Sequence, residues 1–394
     1  MPPAPSPGAF DPRILALPLY EEHHRELAHR LTLWCDGHED LLADAEPPMT
    51  AGPRILRALG DGGWLAFLDG GPDDHRALCL AREALAYAGD LADYTFSIQA
   101  LAAGPLRRHG TGEQRRRYLP GLARGELCAA FAVSEEAAGS DVAAIGLDAR
   151  ETATGWVLDG GKAWIAHAGI ADVYTVIART GPGPGALGLS AFLVPATTPG
   201  LRVRPVPMIA PRALGHLVFE ECALPGQALL GRRGGGFPIA MEVLDRFRMT
   251  VGAAALGFAR RAADAALARA LARPMRGGKL FDLPTVRAAF AGMEVKLDAA
   301  ALLVARAAWE TDHGDPRYPR HSAVAKFYAT EAAQEIVDSA LQVFGAAGLV
   351  RDSLMERLYR QIRSLRIYEG SSEVQQAVIA AAIDPYRTAR GVSS

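Results

Sequence analysis

The sequence predicts a chain of helices, then antiparallel β structure, then helices again. Two changes of hydrophobic period carry that expectation. Apolar residues recur at helical spacing up to about residue 127, alternate in strand fashion through the middle, and return to helical spacing after Gly234-Gly235-Gly236. Size is the third observation. A chain of 394 residues, 49% hydrophobic and 22% charged, has the composition of an ordinary globular protein of two or three domains. The expected divisions are a helical domain over 1–127, a β domain over 128–230 and a helical domain over 231–394.

Residues 1–16 read as an arm. From Leu17, apolar positions at Leu17, Tyr20, Leu27, Leu31 and Trp34 predict a helix with one buried stripe. Residues 76–103 predict two helices broken near Gly89 and ended by Gly104-Pro105. The Arg-rich RRHGTGEQRRRYLP reads as a solvated helix, since no aromatic interleaving accompanies the charge. In the middle block, residues 155–162 predict a hairpin turning at Asp159-Gly160. Residues 173–178 and 189–194 predict buried strands, 201–206 an edge strand because of Pro205 and Pro207, and 217–219 a further strand. The last block predicts helices over 238–272, 284–312, 320–345, 352–366 and 371–382, with a break at Gly345–Gly348.

Lys plus Arg is 42 and Asp plus Glu is 44, a formal net charge of −2. That balance argues against nucleic acid or an anionic membrane as the main partner. The N-terminus lacks the pattern of a signal peptide. The uncharged stretch 182–201 is too rich in proline and glycine for an ordinary membrane helix. Cys35, Cys79, Cys128 and Cys222 form no CxxC pair, which suits a reducing cytoplasm. No P-loop, GxSxG or HExxH occurs, and the GPGPG at 181–185 precedes a strand, so it reads as a loop and not as a dinucleotide fingerprint. His23, His24 and His29 read as surface histidines on the polar side of the first helix, and no metal is expected.

Two segments carry chemistry. FAVSEEAAGSD at 131–141 supplies hydroxyls, glycine and backbone N–H groups suited to a polar ring and a phosphate, although by itself it reads equally well as a surface loop. IYEGSSE at 367–373 sets Glu369 between an aromatic and a glycine. A carboxylate in apolar surroundings can serve as a base near neutrality, whereas spacing alone favours a surface Glu before a glycine cap.

Together with GTGEQRRRYLPGLARGE, GWVLDGGKAWI, FLVP, FEECALP, GGGFPIAMEVLDRFR and AKFYATEAAQEIVDSALQVFGAAG, these segments resemble the acyl-CoA dehydrogenase family of flavoproteins over nearly the whole chain. The resemblance implies an all-α N-terminal domain, a central antiparallel β domain and a C-terminal four-helix bundle, with FAD held between the last two. It implies that Val133, Ser134, Gly139, Ser140, Trp164, Ile165 and Ala166 meet the flavin and pyrophosphate. Arg273, Arg276 and Gly277 would reach FAD across a subunit interface. Gln342, Gly345, Gly348, Ser371 and Glu373 would line it from the bundle. Glu369 would be the catalytic base, with Asp245, Arg248, Tyr368 and Gly370 at the substrate. Some branches carry the base on the long helix, at a place held here by Phe247, which cannot take a proton.

The implied reaction is α,β-dehydrogenation of an acyl thioester, on CoA or an acyl-carrier protein, to the trans-2-enoyl thioester. Electrons would pass to an electron-transferring flavoprotein, from a homodimer or homotetramer. A flavin-dependent oxidase and a non-catalytic subunit of an active homologue are the alternatives. Departures cluster near the flavin. Ala166-His167 replaces a hydroxyl-bearing pair, so that His167, in part, or a water would stand in for the hydroxyl. The loop 208–215 lacks a family serine, Arg273-Pro274-Met275-Arg276-Gly277 and Pro284 alter the cross-subunit contacts, and Arg360-Gln361 stands where ArgAsp is usual. They point to a specialised or biosynthetic thioester.

Overall fold

Helical periodicity is realised on both flanks of the chain in the computed structural model, which describes residues 8–181 and 185–383. The first flank holds α1 (Pro12–Leu15), α2 (Glu22–Asp36), α3 (Glu39–Leu42), α4 (Pro48–Asp61), α5 (His75–Ala88), α6 (Asp90–His109) and α7 (Gly112–Ala123). The middle holds β1 (Ala129–Ala132), β2 (Asp148–Thr152), β3 (Gly155–Ala166), β4 (Val173–Arg179), β5 (Leu189–Pro195), β6 (Leu201–Pro205), β7 (Leu214–Pro225) and β8 (Leu229–Leu230). The last flank holds α8 (Gly236–Ala272), a hairpin of β9 (Pro274–Met275) and β10 (Gly278–Lys279), then α9 (Pro284–Asp312), α10 (Tyr318–Phe344), α11 (Leu354–Ile362) and α12 (Ser372–Ala381). Among the described residues, no helix is long and apolar enough to cross a membrane.

Two compact units result. One comprises Met1–Glu39, Asp74–Asp93 and Asp245–Ser394; the other comprises Asp40–Asp73 and Tyr94–Leu244. The core of the first is rich in alanine along α8, α9 and α10, and small side chains let helix backbones approach closely. Gly257 marks the limit of that approach, since a Cβ there would lie 2.2 Å from the Glu83 carbonyl oxygen on α5.

The second unit is built on a sheet of order β6-β7-β3-β2-β4-β5-β8, with β1 pairing β4. Most pairs are antiparallel, as expected, but β1 runs parallel to β4 and β2 touches β4 in parallel at Asp148 and Arg179. β6 lies at the edge, where Pro205 lacks a donor to lose.

Several expectations need correction. Gly104-Pro105 does not end its helix; α6 continues to His109, because burial of Ala100–Ala103 and Leu106 outweighs one missing N–H. Asp159-Gly160 does not turn. β3 runs through it, and the pair faces a bulge in β7, where Glu220 and Glu221 oppose Asp159 and Glu221 takes φ 48°. The turn lies earlier, between β2 and β3, at Thr152–Gly155. The first helix begins only at Glu22, after Tyr20, and one helical turn, α1, interrupts the expected arm. The loop expected at 181–185 falls in part on 182–184, outside the described residues.

His24 is not a surface histidine. It is fully buried, its Nδ1 accepts from the Glu21 N–H (3.0 Å), and its Nε2 donates to Asp74 (3.1 Å). Asp74 in turn caps α5 through the Ala77 N–H. His23, His24 and Asp74 offer three ligand atoms within 4.8 Å, but His24 Nδ1 is already engaged by the Glu21 N–H at the start of α2 and its Nε2 by Asp74.

Candidate active site

In the first unit, the chain leaves α11 through a 3-10 turn at Arg363–Arg366 and reaches the Tyr368-Glu369-Gly370 loop before α12. Ser371 caps α12 by accepting from the Val374 N–H. Glu369 takes φ 53° and Gly370 φ 89°. A left-handed glutamate is unusual and is held only where its surroundings fix it. Glu369 keeps partial exposure as a residue, yet its Oε2 is buried without a hydrogen-bond partner. Burial pushes its carboxyl up to about 7, against the opposing pull of Arg82, Lys326 and Arg248, while Asp93 adds to the rise.

Those cations differ in how they are held. Arg82 is wholly buried, forks onto Asp93 (2.8 and 2.9 Å), and donates to Thr250 Oγ1 (3.0 Å). Arg248 pairs with Asp245 at 2.6 Å. Lys326, also wholly buried, donates to the Gly370 carbonyl at 2.6 Å. Tyr368 is half-buried beside the loop. The remaining sequence-predicted residues of this unit lie elsewhere along it. Arg273 is exposed just before the β9–β10 hairpin. Arg276 and Gly277 form the hairpin's two-residue turn with φ 47° and 83°, the backbone signs of a type I′ turn. Gln342 is exposed at the end of α10, which stops at Gly345 with φ 62°; Gly348 is buried, and Glu373 is exposed.

In the second unit, Trp164 owes its position to a second bulge. Ala163 and Trp164 oppose the single residue His216, and Trp164 takes φ 60°. A bulge re-aims a side chain; here the indole is 53% exposed, edge-on to His216 at 4.7 Å. Ile165, next along, is buried, and Ala166 is half-buried. Val133 is buried and Ser134 half-buried, with Gly139 and Ser140 exposed in the same loop.

His167 does not substitute for the missing hydroxyl. It is fully buried, donates from Nδ1 to the Ala129 carbonyl (2.9 Å), and lies against Cys128 Sγ (3.2 Å). Burial brings its pKa down to about 4, so it stays neutral and braces the sheet.

Compared with known proteins, residues 22–126, 130–222 and 234–383 match, in that order, the N-terminal, middle and C-terminal domains of acyl-CoA dehydrogenases. The chain belongs to the acyl-CoA dehydrogenase family. It is 36% identical over 334 residues to the mitochondrial short-chain specific acyl-CoA dehydrogenase of Mus musculus, covering 82% of this chain and 81% of that one. The solved structure of butyryl-CoA dehydrogenase from Megasphaera elsdenii is similar at a TM-score of 0.85 and 27% identity, over 92% of this chain and 98% of that one. A glutaryl-CoA dehydrogenase from Mycobacterium smegmatis in complex with FADH2 is similar at 0.84 and 25%, over 93% and 96%. This acyl-CoA dehydrogenase is therefore an FAD-dependent oxidoreductase acting on CH–CH groups.

The residues present fit that cofactor. The bulge at Trp164 offers an open aromatic face suited to a flat ring. A Cβ built on Gly139 would meet nothing within 4 Å, which leaves room beside the hydroxyls of the 131–141 loop.

Sequence reasoning missed what braces that loop. Lys162, wholly buried, donates to the Val133 carbonyl (2.8 Å) and to Glu135 (2.7 Å). Glu135 also accepts from the Gly146 and Leu147 N–H groups. The available signal was a lysine inside a strand. Lys162→Met is expected to cost about 1–3 kcal/mol, moderated because Glu135 keeps its two backbone donors. Chemical denaturation of the two proteins measures that loss.

Proposed function

We propose that this acyl-CoA dehydrogenase takes the α proton of its acyl thioester onto Glu369. The observation that carries the reading is the buried, unpartnered Oε2 of Glu369; burial pushes its carboxyl up to about 7. A base of that strength is half ionised near neutrality, where it both accepts a proton readily and is present in the accepting form. The Glu369 backbone N–H donates to the thioester carbonyl and stabilises the charge that develops there as the α proton leaves. Asp245, Arg248, Tyr368 and Gly370 line the path of the thioester. Val133, Ser134, Gly139, Ser140, Trp164, Ile165 and Ala166 hold FAD from the β domain, and Gln342, Gly345, Ser371 and Glu373 hold it from the bundle. Arg273 and Arg276 serve the FAD of a neighbouring subunit in a homodimer or homotetramer. When bound, FAD supplies the acceptor for the β hydrogen and its electron pair.

The product is a trans-2-enoyl thioester, on CoA or on an acyl-carrier protein, and electrons leave to an electron-transferring flavoprotein. A cytoplasmic location is supported by four cysteines that are all unbridged. The test is anaerobic mixing of the purified holoenzyme with a panel of acyl-CoA and acyl-carrier thioesters. Bleaching of the oxidised flavin by at least one is expected. A flavin that dithionite reduces and no thioester bleaches would overturn the reading.

A further inference from the structure

We propose that Lys326 and Gln375 are positioning residues that clamp the Gly370 carbonyl and fix Glu369 in its left-handed conformation, and that the Lys326 charge, held on that carbonyl, favours the ionised carboxylate. The inference rests on Glu369 being the base. Two donors converge on one acceptor: Lys326 Nζ at 2.6 Å from α10, and Gln375 Nε2 at 2.9 Å from α12. Gln375 Nε2 also lies 3.4 Å from the Glu369 carbonyl. Both side chains are wholly buried. The clamp closes onto glycine itself, because a Cβ on Gly370 would fall 2.4 Å from Gln375 Nε2.

A buried ammonium is costly unless something compensates it. The charges that act most strongly on Glu369 are those of Arg82 on α5, Lys326 on α10, Asp93 on α6 and Arg248 on α8. Arg82 is spent on Asp93 and Arg248 on Asp245. Lys326 has no carboxylate within ion-pair distance among the described residues. The attractions on its charge come from Glu369 first, then Glu331 and Glu373, with Arg248 repelling it. Its charge therefore acts on the ionised form of Glu369, which it favours.

The test uses the FAD-loaded enzyme and the acyl-CoA that bleaches it fastest. The rate of flavin reduction is measured by rapid mixing from pH ~5.5 to pH ~9, so that the limb set by the base is seen whole. Lys326→Met removes both donor and charge; Lys326→Gln keeps a donor and removes the charge. Both are expected to move the midpoint of the rising limb to higher pH by about one unit, which is roughly tenfold in rate well below the midpoint and roughly fivefold at pH ~7. Lys326→Met should also lower the high-pH plateau, since its carbonyl clamp is lost, with KM little changed. Flavin content and thermal midpoints confirm that each variant is folded; should Lys326→Met not fold, Lys326→Gln and Gln375→Leu decide. A wild-type midpoint and plateau in folded Lys326→Gln and Gln375→Leu would overturn the clamp. Glu369→Gln run alongside separates the two readings: normal reduction in that variant removes the base assignment itself, whereas a large loss there with unaltered Lys326 and Gln375 variants removes only the clamp.

Discussion

Glu369→Gln is expected to retain the fold and bound FAD while reducing its flavin with an acyl thioester about 10²–10⁴-fold more slowly, the usual worth of a positioned base. The substitution is nearly isosteric and touches an atom that bonds to nothing, Oε2, so little packing is lost. What disappears is the only proton acceptor the proposed chemistry uses. In the wild type the reduction rate should climb through about pH 7, where the buried carboxyl ionises, and in the variant that limb should vanish. Linkage supplies a second readout. A carboxyl whose folded pKa lies above its unfolded value favours folding while protonated. That contribution is whole below about 4.5 and is lost as pH rises through about 7. Glutamine cannot ionise, so the wild type should lose stability relative to the variant as pH rises across that window. Stopped-flow absorbance and thermal scans over pH measure both. Unimpaired reduction in a folded, FAD-loaded variant would place the base elsewhere.

Glu369 is singled out in the sequence by the resemblance of IYEGSSE to the family, since its aromatic and glycine neighbours alone favour a surface Glu, whereas the helical flanks and central strands are legible because they obey their hydrophobic periods. Legibility fails where long-range packing decides. Trp164 stands out on a bulge, and a bulge is a mismatch between two strands some fifty residues apart, with no mark on either strand alone. The same applies to Asp159-Gly160, a dipeptide with the local chemistry of a turn that the pairing of β3 with β7 keeps extended. His24 looks like a surface histidine and His167 like a polar group near the flavin because polarity is the only local signal; each is buried and bonded to a partner distant in sequence, Asp74 and Ala129 respectively. Lys162 and Lys326 sit at helical or strand positions that any solvated lysine could occupy, and only the fold shows that each is buried with its ammonium on a backbone carbonyl.

Arg82 makes the same point with the largest expected effect on stability. Its partner Asp93 is only 11 residues away, but α5 stops at Gly89 and α6 begins at Asp90, so no single-helix spacing rule links them. Arg82→Met leaves the Asp93 carboxylate buried, 3% exposed, with its guanidinium gone. Breaking a buried pair from one side costs about 3–5 kcal/mol, because the remaining charge has lost its compensation. Replacing both partners with apolar residues of similar volume, Arg82→Met with Asp93→Leu, removes the desolvation of both charges, so the double variant should lie close to the wild type. Chemical denaturation of the two singles and the double gives the coupling directly. The singles also report on the base: without Arg82, a lone Asp93 carboxylate raises the Glu369 carboxyl further, and the rising limb of flavin reduction should move to higher pH; without Asp93, Arg82 pulls it lower. Opposite displacements from the two single variants would tie the buried pair to the chemistry as well as to the fold, whereas equal midpoints with intact stability in the Arg82 variant would show the pair to be neither.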